Sequence, residues 1–253
     1  MIRRWLWLTP AFLAAGLVAC GGGGEEHQLS KVFQGPPWTG DETLQYRLAR
    51  AEDDEDYGEC TLETRLNTDG GNTRLNRLCT DGENRDDGTV LVEPRTLRPL
   101  SASRTQYRAD RDARYSFSSV YEPPIVKFES NENGEIRTTE RDLPEPDETS
   151  PDPGYYDDES LLWLVRGIPL EEGWEGSFQD VSAGTGQTFR VDLKVEGLER
   201  VSVPLGEFQA WRVRIRTASV TQFAWVEADA PHRLIKARIR GIQDVEYELT
   251  RSE

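Results

Sequence analysis

The sequence predicts a mainly β protein: an antiparallel, strongly curved sheet or partly open β-barrel with one packed helix. Three observations lead there. Apolar and polar residues alternate with period two along most of the chain after Thr43. Asp-Gly and Asn-Gly turn signals punctuate that alternation. One segment, following Asp158, carries helical spacing. A long sheet must hide its edge strands, so closure or a covering helix is part of the expectation.

Taken in chain order, residues 1–19 read as a signal peptide of lipoprotein type. Arg3 and Arg4 supply the basic region, Trp5 to Val18 the apolar region, and Ala19 the small residue before the cut. The ending Leu17-Val18-Ala19-Cys20 resembles a bacterial lipobox, which implies cleavage before Cys20 and acylation of its sulfur and its new amino group. The apolar run is shorter than the ~20 residues that cross a bilayer. Two or three acyl chains, palmitate among them, anchor stably at ~0.8 kcal/mol per buried methylene. The expectation is a cell-envelope protein held to the membrane by lipid on Cys20. Gly21 replaces the Asp associated with inner-membrane retention, so a host with two membranes would place it at the outer one. Residues 20–41, rich in Gly and then in Pro, read as the lipidated cysteine and a flexible tether. Residues 42–253 read as a single β domain.

Strands are expected over 43–48, 61–67, 73–79, 89–92, 101–107, 115–120, 125–129 and 135–139. If Asp69-Gly70 forms a two-residue turn, Cys60 faces Cys79 across the hairpin at a hydrogen-bonded pair, with Cα atoms ~5.5 Å apart. In an exported compartment such a pair is a disulfide. A thiolate metal site is the competing reading. It wants four ligands, and beyond these cysteines and Cys20 the chain offers only His27 and His232. Asp87-Gly88 and Asn133-Gly134 signal further hairpins. Residues 143–158 form an acidic, proline-rich loop inside the domain. In the helix that follows, Asp158 can cap, Leu161, Leu162 and Val165 give an apolar face, and Gly167 and Pro169 stop it.

The strand over 187–196 alternates Phe189, Val191, Leu193 and Val195 with Arg190, Asp192, Lys194 and Glu196. A last hairpin about Gly241-Ile242-Gln243 sets Arg240 against Asp244, Arg238 against Glu246 and Lys236 against Glu248. The same register sets Ile239 against Val245, Ala237 against Tyr247 and Ile235 against Leu249. Cross-strand ion pairs contribute ~0.2–1 kcal/mol each, so they specify register more than they stabilise.

The chain carries 46 acidic against 30 basic residues, a net charge of −16. That excess argues against nucleic acid as a partner and against attraction to anionic headgroups. Arg212, Arg214 and Arg216 form a basic stripe, best read as a solvated face paired with acids. His27 falls in the tether, and His232, following Ala230-Pro231, reads as a turn histidine bonded to backbone. No Gly-x-Ser-x-Gly elbow and no Ca²⁺-loop pattern is present, so the acidic run 52–56 reads as a solvated loop. No catalytic residue, cofactor or metal ligand is therefore nominated. Trp163, Trp174, Trp211 and Trp225 read chiefly as core.

Glu159-Ser-Leu-Leu-Trp-Leu-Val-Arg-Gly-Ile-Pro-Leu-Glu-Glu-Gly173 resembles a helix-plus-"R-x-x-P-L-x-x-G" segment. Val203-Pro-Leu-Gly-Glu-Phe-Gln-Ala-Trp-Arg-Val213 resembles a "V-P-x-G-x-F-x-A-x-R-V" strand pair. The run from Trp225 through Asp229-Ala-Pro-His232 to Lys236 resembles a "W-x-x-x-D-A-P-H-x-x-x-K" element. All three are similar to an exported bacterial family, domain of unknown function 3108, over about residues 158–250. The resemblance implies a curved antiparallel sheet or partly open barrel like those of envelope lipoprotein carriers, and brings no catalytic residues. Two readings of function follow. The first is a non-catalytic scaffold or interaction module with an envelope protein as partner. The alternative is a carrier or sensor of a lipid or other apolar ligand, with Trp211, Phe223 and Trp225 sharing strand parity and lining one cavity. An enzyme is not expected.

Overall fold

The protein, described by a computed structural model over residues 29–145, 154–240 and 244–253, is built on one sheet of 15 strands. The first eight are β1 (Glu42–Arg50), β2 (Asp56–Thr68), β3 (Asn72–Asp81), β4 (Asn84–Val92), β5 (Pro99–Arg108), β6 (Ala113–Glu122), β7 (Ile125–Glu132) and β8 (Glu135–Asp142). The remaining seven are β9 (Tyr155–Asp157), β10 (Glu175–Ser182), β11 (Gln187–Val203), β12 (Gly206–Arg216), β13 (Thr221–Glu227), β14 (Leu234–Ile239) and β15 (Val245–Ser252). One short helix, α1 (Leu161–Leu164), follows a 3₁₀ turn at Asp158–Ser160. Cys20 and the leader lie outside the described residues.

The strand order is β8-β7-β6-β5-β4-β3-β2-β1-β15-β14-β13-β12-β11-β10-β9. Neighbours are antiparallel throughout except β9, which runs parallel to β10. The sheet is therefore mainly antiparallel and not closed by a backbone ladder. Side chains bridge the gap instead. Tyr155 of β9 stacks on Tyr121 of β6 with ring centroids 6.2 Å apart. Ser119 and Tyr121 of β6 both donate to the Asp157 carboxylate, at 3.1 and 2.6 Å. The sheet curls until one edge packs on the inner face of its far half. The other edge, β8, is exposed along most of its length. Its charged sequence Glu-Ile-Arg-Thr-Thr-Glu-Arg-Asp discourages further strand pairing.

Helix α1 and the segment before β1 occupy the concave side. Leu162, Trp163, Leu164 and Val165 are all buried, so α1 is enclosed rather than striped. The expected Asp158 cap is not formed: Asp157 caps the preceding 3₁₀ turn, its carboxyl accepting the Glu159 N–H at 3.0 Å, and α1 starts after Ser160 with no side-chain cap. Gly167 does not end the helix, which stops at Leu164 with Val165 as its C-cap, and it has a different reason to be glycine. A Cβ there would lie 2.2 Å from the Phe33 ring.

That contact corrects the tether. From Leu29 onward the segment is part of the body: Ser30 donates to the Ser177 carbonyl, Gln34 to Gly167, and Val32, Phe33 and Trp38 are buried. Adjacent apolar residues framed by Gly and Pro give no period, and only the interior they fill reveals their role. The acidic loop is also shorter than 143–158. Leu143 is buried, and Tyr155–Asp157 is a buried strand.

The β2–β3 hairpin has the expected long-range register but a different turn. Cys60 pairs with Cys79, while nearer the turn Thr68 pairs with Asn72 across a loop of Asp69, Gly70 and Gly71. The loop is one residue longer than Asp69-Gly70 alone, and a register shift between Arg65 and Thr68 compensates. Cα atoms of the cysteine pair are 4.0 Å apart, nearer the ~4.5 Å of a non-hydrogen-bonded pair than the expected ~5.5 Å. The disulfide itself is present. Asp87-Gly88 is not a turn but lies within β4, whereas Asn133-Gly134 does turn β7 into β8. The last hairpin follows the expected register: Lys236 faces Glu248, Ala237 faces Tyr247, Arg238 faces Glu246 and Ile239 faces Val245.

Candidate functional site

The three aromatics expected to share a cavity do not face one way. Trp211 pairs with Val226, while Arg212 pairs with Trp225 and Arg214 with Phe223. Directly opposed residues share a face, so Phe223 and Trp225 stand with the arginines and Trp211 stands on the other side. The Arg212 guanidinium lies 4.3 Å from the Phe223 ring centroid and 5.8 Å from that of Trp225. The stripe is paired with acids: Arg212 and Arg214 reach Glu196, and Arg216 reaches Asp192. The 52–56 run is likewise engaged, with Arg47 on Asp54 and Asp56, and Arg50 on Asp53 and Glu55.

His232 sits in the β13–β14 turn with Nδ1 2.9 Å from the Glu227 carbonyl. Arg166, from the "R-x-x-P-L" segment, reaches the same turn. It donates to the His232 carbonyl at 2.8 Å and forks onto Glu42 of β1 at 2.6 and 3.0 Å. Its guanidinium also lies over the Trp38 ring. Two of the sequence motifs thus meet at one buried arginine, whose role on this geometry is to tie α1, β1 and the turn together.

A polar seam runs beneath β3, β4 and β5. Arg77 reaches Glu159 at 2.9 Å and Asp86 at 3.4 Å, and Arg104 forks onto Asp86 at 2.9 and 2.6 Å. Burial pushes the Asp86 carboxyl up, but the Arg104 hydrogen bonds and the Arg77 charge outweigh it and hold it well below the ordinary carboxylate range. Gly88 exists for this seam: a Cβ there would lie 2.0 Å from Glu159 Oε2. Deeper in, Asp157, Asp158 and Asp180 all have raised proton affinity, chiefly from burial, with the Asp158 and Glu159 charges adding to it at Asp157 and Asp180. Asp158 is pushed up to about 6, with the Glu159 charge adding to burial. The oxygens Asp158 Oδ1 and Asp180 Oδ1 have no hydrogen-bond partner among the described residues. A neutral acid tolerates such burial better than a carboxylate. Among the described residues no group of three or more His, Cys, Asp or Glu is placed to hold a metal ion.

Arg77 also forms the inner wall of an open cleft of about 260 Å³ at the disulfide end of the shell. Leu48, Tyr57, Ile239, Val245 and Tyr247 give it an apolar wall. Cys79 Sγ lies 3.6 Å from Tyr247 Oη and 3.5 Å from Arg77 Nη1. Burial raises the Tyr247 hydroxyl above its ordinary range, so it stays a neutral donor. Sequence reasoning missed cleft and seam alike, because their residues come from strands far apart in the chain. The one local signal was Gly88 within an otherwise good strand.

Residues 45–250 match the family model described as "Protein of unknown function (DUF3108)". The match extends the resemblance seen over 158–250 into the N-terminal half. A β-barrel-like protein of domain of unknown function DUF1849 from Brucella abortus is similar in fold, with a TM-score of 0.51 and 10% identity over 84% of this chain and 97% of that one. A protein of YmcC-like fold from Bacteroides fragilis aligns with a TM-score of 0.31 and 11% identity, over 88% of this chain and 99% of that one. No curated protein matches the chain.

Proposed function

The chain belongs to the DUF3108 family of proteins of unknown function, and on that premise we propose that it is a non-catalytic, lipid-anchored module of the cell envelope that acts through its surface. The observation that carries this reading is the concave face occupied by buried side chains. Where a lipid carrier needs an open apolar chamber, α1 and the Val32–Trp38 segment occupy the concave face. The division of Trp211 from Phe223 and Trp225 removes the lining first expected for such a chamber. The lipobox-like sequence ending at Cys20 supports the anchor, and the acidic exterior supports a role that does not depend on charge attraction to the bilayer.

Two measurements test it. Cys20→Ser should move the protein from the membrane fraction to the soluble one; retention in the membrane would remove the anchor. Native mass spectrometry of protein from its own host should show no diacyl lipid beyond the covalent anchor. A stoichiometric bound lipid would favour the carrier instead.

A further inference from the structure

We propose that the cleft at the disulfide end is a binding site for a small amphipathic carboxylate, a monoanion carried on a short alkyl or aryl body. The argument begins with charge. Arg77, Arg85, Arg108 and Arg240 line the cleft against Asp81 and Asp86. Among the lining side chains that is four cations against two carboxylates, in a chain of net charge −16. The four guanidiniums are not equally committed. Arg77 is held by Glu159 and Asp86, and Arg85 pairs with Asp87 at 3.0 Å. Arg240 meets Asp244 only at 3.5 Å, and Arg108 forms no ion pair among the described residues. Arg108 is also exposed. A guanidinium without a partner at the lip of a cleft presents a planar fork that matches a carboxylate.

The second part of the argument is the apolar wall. Tyr57, Ile239 and Val245 pack on the core yet remain partly open, while Leu48 and Tyr247 are buried behind them. A ligand body covering these side chains would remove apolar surface from water. The third part is size and sign. A volume of about 260 Å³ falls just below the ~300–1,000 Å³ of ordinary ligand pockets and excludes a diacyl lipid. Asp81 and Asp86 in the same wall oppose a second negative charge, which favours a monoanion over a phosphate ester. Ligand and protein would associate without covalent change, with the carboxylate at Arg108 and the tail toward Tyr57 and Val245.

The test is calorimetric titration of the chain carrying Cys20→Ser, the variant expected in the soluble fraction, with octanoate, and with octylamine and acetate as probes of charge and tail. Octanoate should bind one to one with a dissociation constant below about 1 mM. Octylamine and acetate should each bind at least about tenfold more weakly. Arg108→Glu changes an exposed side chain and should keep the fold, seen as an unchanged near-ultraviolet spectrum. It should weaken octanoate by about tenfold or more. Ile239→Trp, which fills the apolar wall, should abolish binding independently. Absence of saturable octanoate binding, equal binding of octylamine, or unchanged affinity in Arg108→Glu would each overturn the proposal. None of those results bears on the anchor or on the occupied concave face.

Discussion

Asp158 gives the most direct test of the buried acids. Its carboxyl is raised from an ordinary 3.8 to about 6, chiefly by burial and then by the Glu159 charge. The folded chain therefore holds this proton more tightly than the unfolded chain. Below the unfolded value both states are protonated and Asp158 contributes no pH dependence. As pH rises from about 4 to about 6 the unfolded state releases the proton first, and stability falls. Above about 6 the loss is complete. A shift of about two pH units corresponds to about 3 kcal/mol; Asp158 is only half-buried, and solvent screening reduces this to about 2–3 kcal/mol. Asp158→Asn is neutral at every pH and removes this linkage. Its stability relative to wild type, from urea denaturation, should rise by about 2–3 kcal/mol between pH ~4 and pH ~7. Loss of any hydrogen bond to Ser182 would offset the curve without changing its slope. A variant-minus-wild-type difference that stays flat over that window would refute the reasoning.

Three further outcomes are expected. Arg166→Met should lower stability by about 3–5 kcal/mol, because Glu42 is left buried without its partner, and adding Glu42→Gln should restore part of it; a loss under about 1 kcal/mol contradicts the tie seen at that arginine. Gly88→Ala should destabilise by about 2–4 kcal/mol as its methyl displaces Glu159 from Arg77, whereas Gly134→Ala, with open space around it and only its positive φ to oppose it, should cost less than about 2 kcal/mol; equal effects on thermal midpoint would count against the close approach. Replacing Cys60 and Cys79 together by Ser, which opens a loop spanning 19 positions, should cost about 3 kcal/mol in chemical denaturation, and an unchanged midpoint would deny the bridge a stabilising role.

What the sequence made legible was local. The β14–β15 register could be read from Lys236 to Ile239, because one register satisfied an apolar face and a row of opposite charges together. The loop at 241–243 lies outside the described residues, and Ile235 does not join the ladder opposite Leu249. The cysteine pairing was legible for a subtler reason: the longer turn and the bulge in β2 shift the count in opposite senses, so the far register survives an incorrect turn. The aromatic trio was not legible. Residues on β12 and β13 can share parity in number yet lie on opposite faces once the loop fixes which strand positions meet, and here odd positions face even ones. The occupied concave face, the Arg77–Glu159 seam and the cleft depend on how far the sheet curls, which no period-two pattern encodes. Val32 and Phe33 gave no sign of burial because a segment that fills a cavity needs bulk rather than periodicity.

The placement of β15 between β1 and β14 bears on how the molecule is made. β1 and β2 are adjacent in the chain and can pair early in folding. The other edge of β1, a row of backbone N–H and C=O groups, has no neighbour until residues 245–252 dock. For that interval the future middle of the sheet is an open border, the state most prone to pairing with another molecule. Arg47 and Arg50 on β1 place charge along that border. β15 is thus a keystone, and a chain lacking it would consist of two half-sheets with no ladder between them.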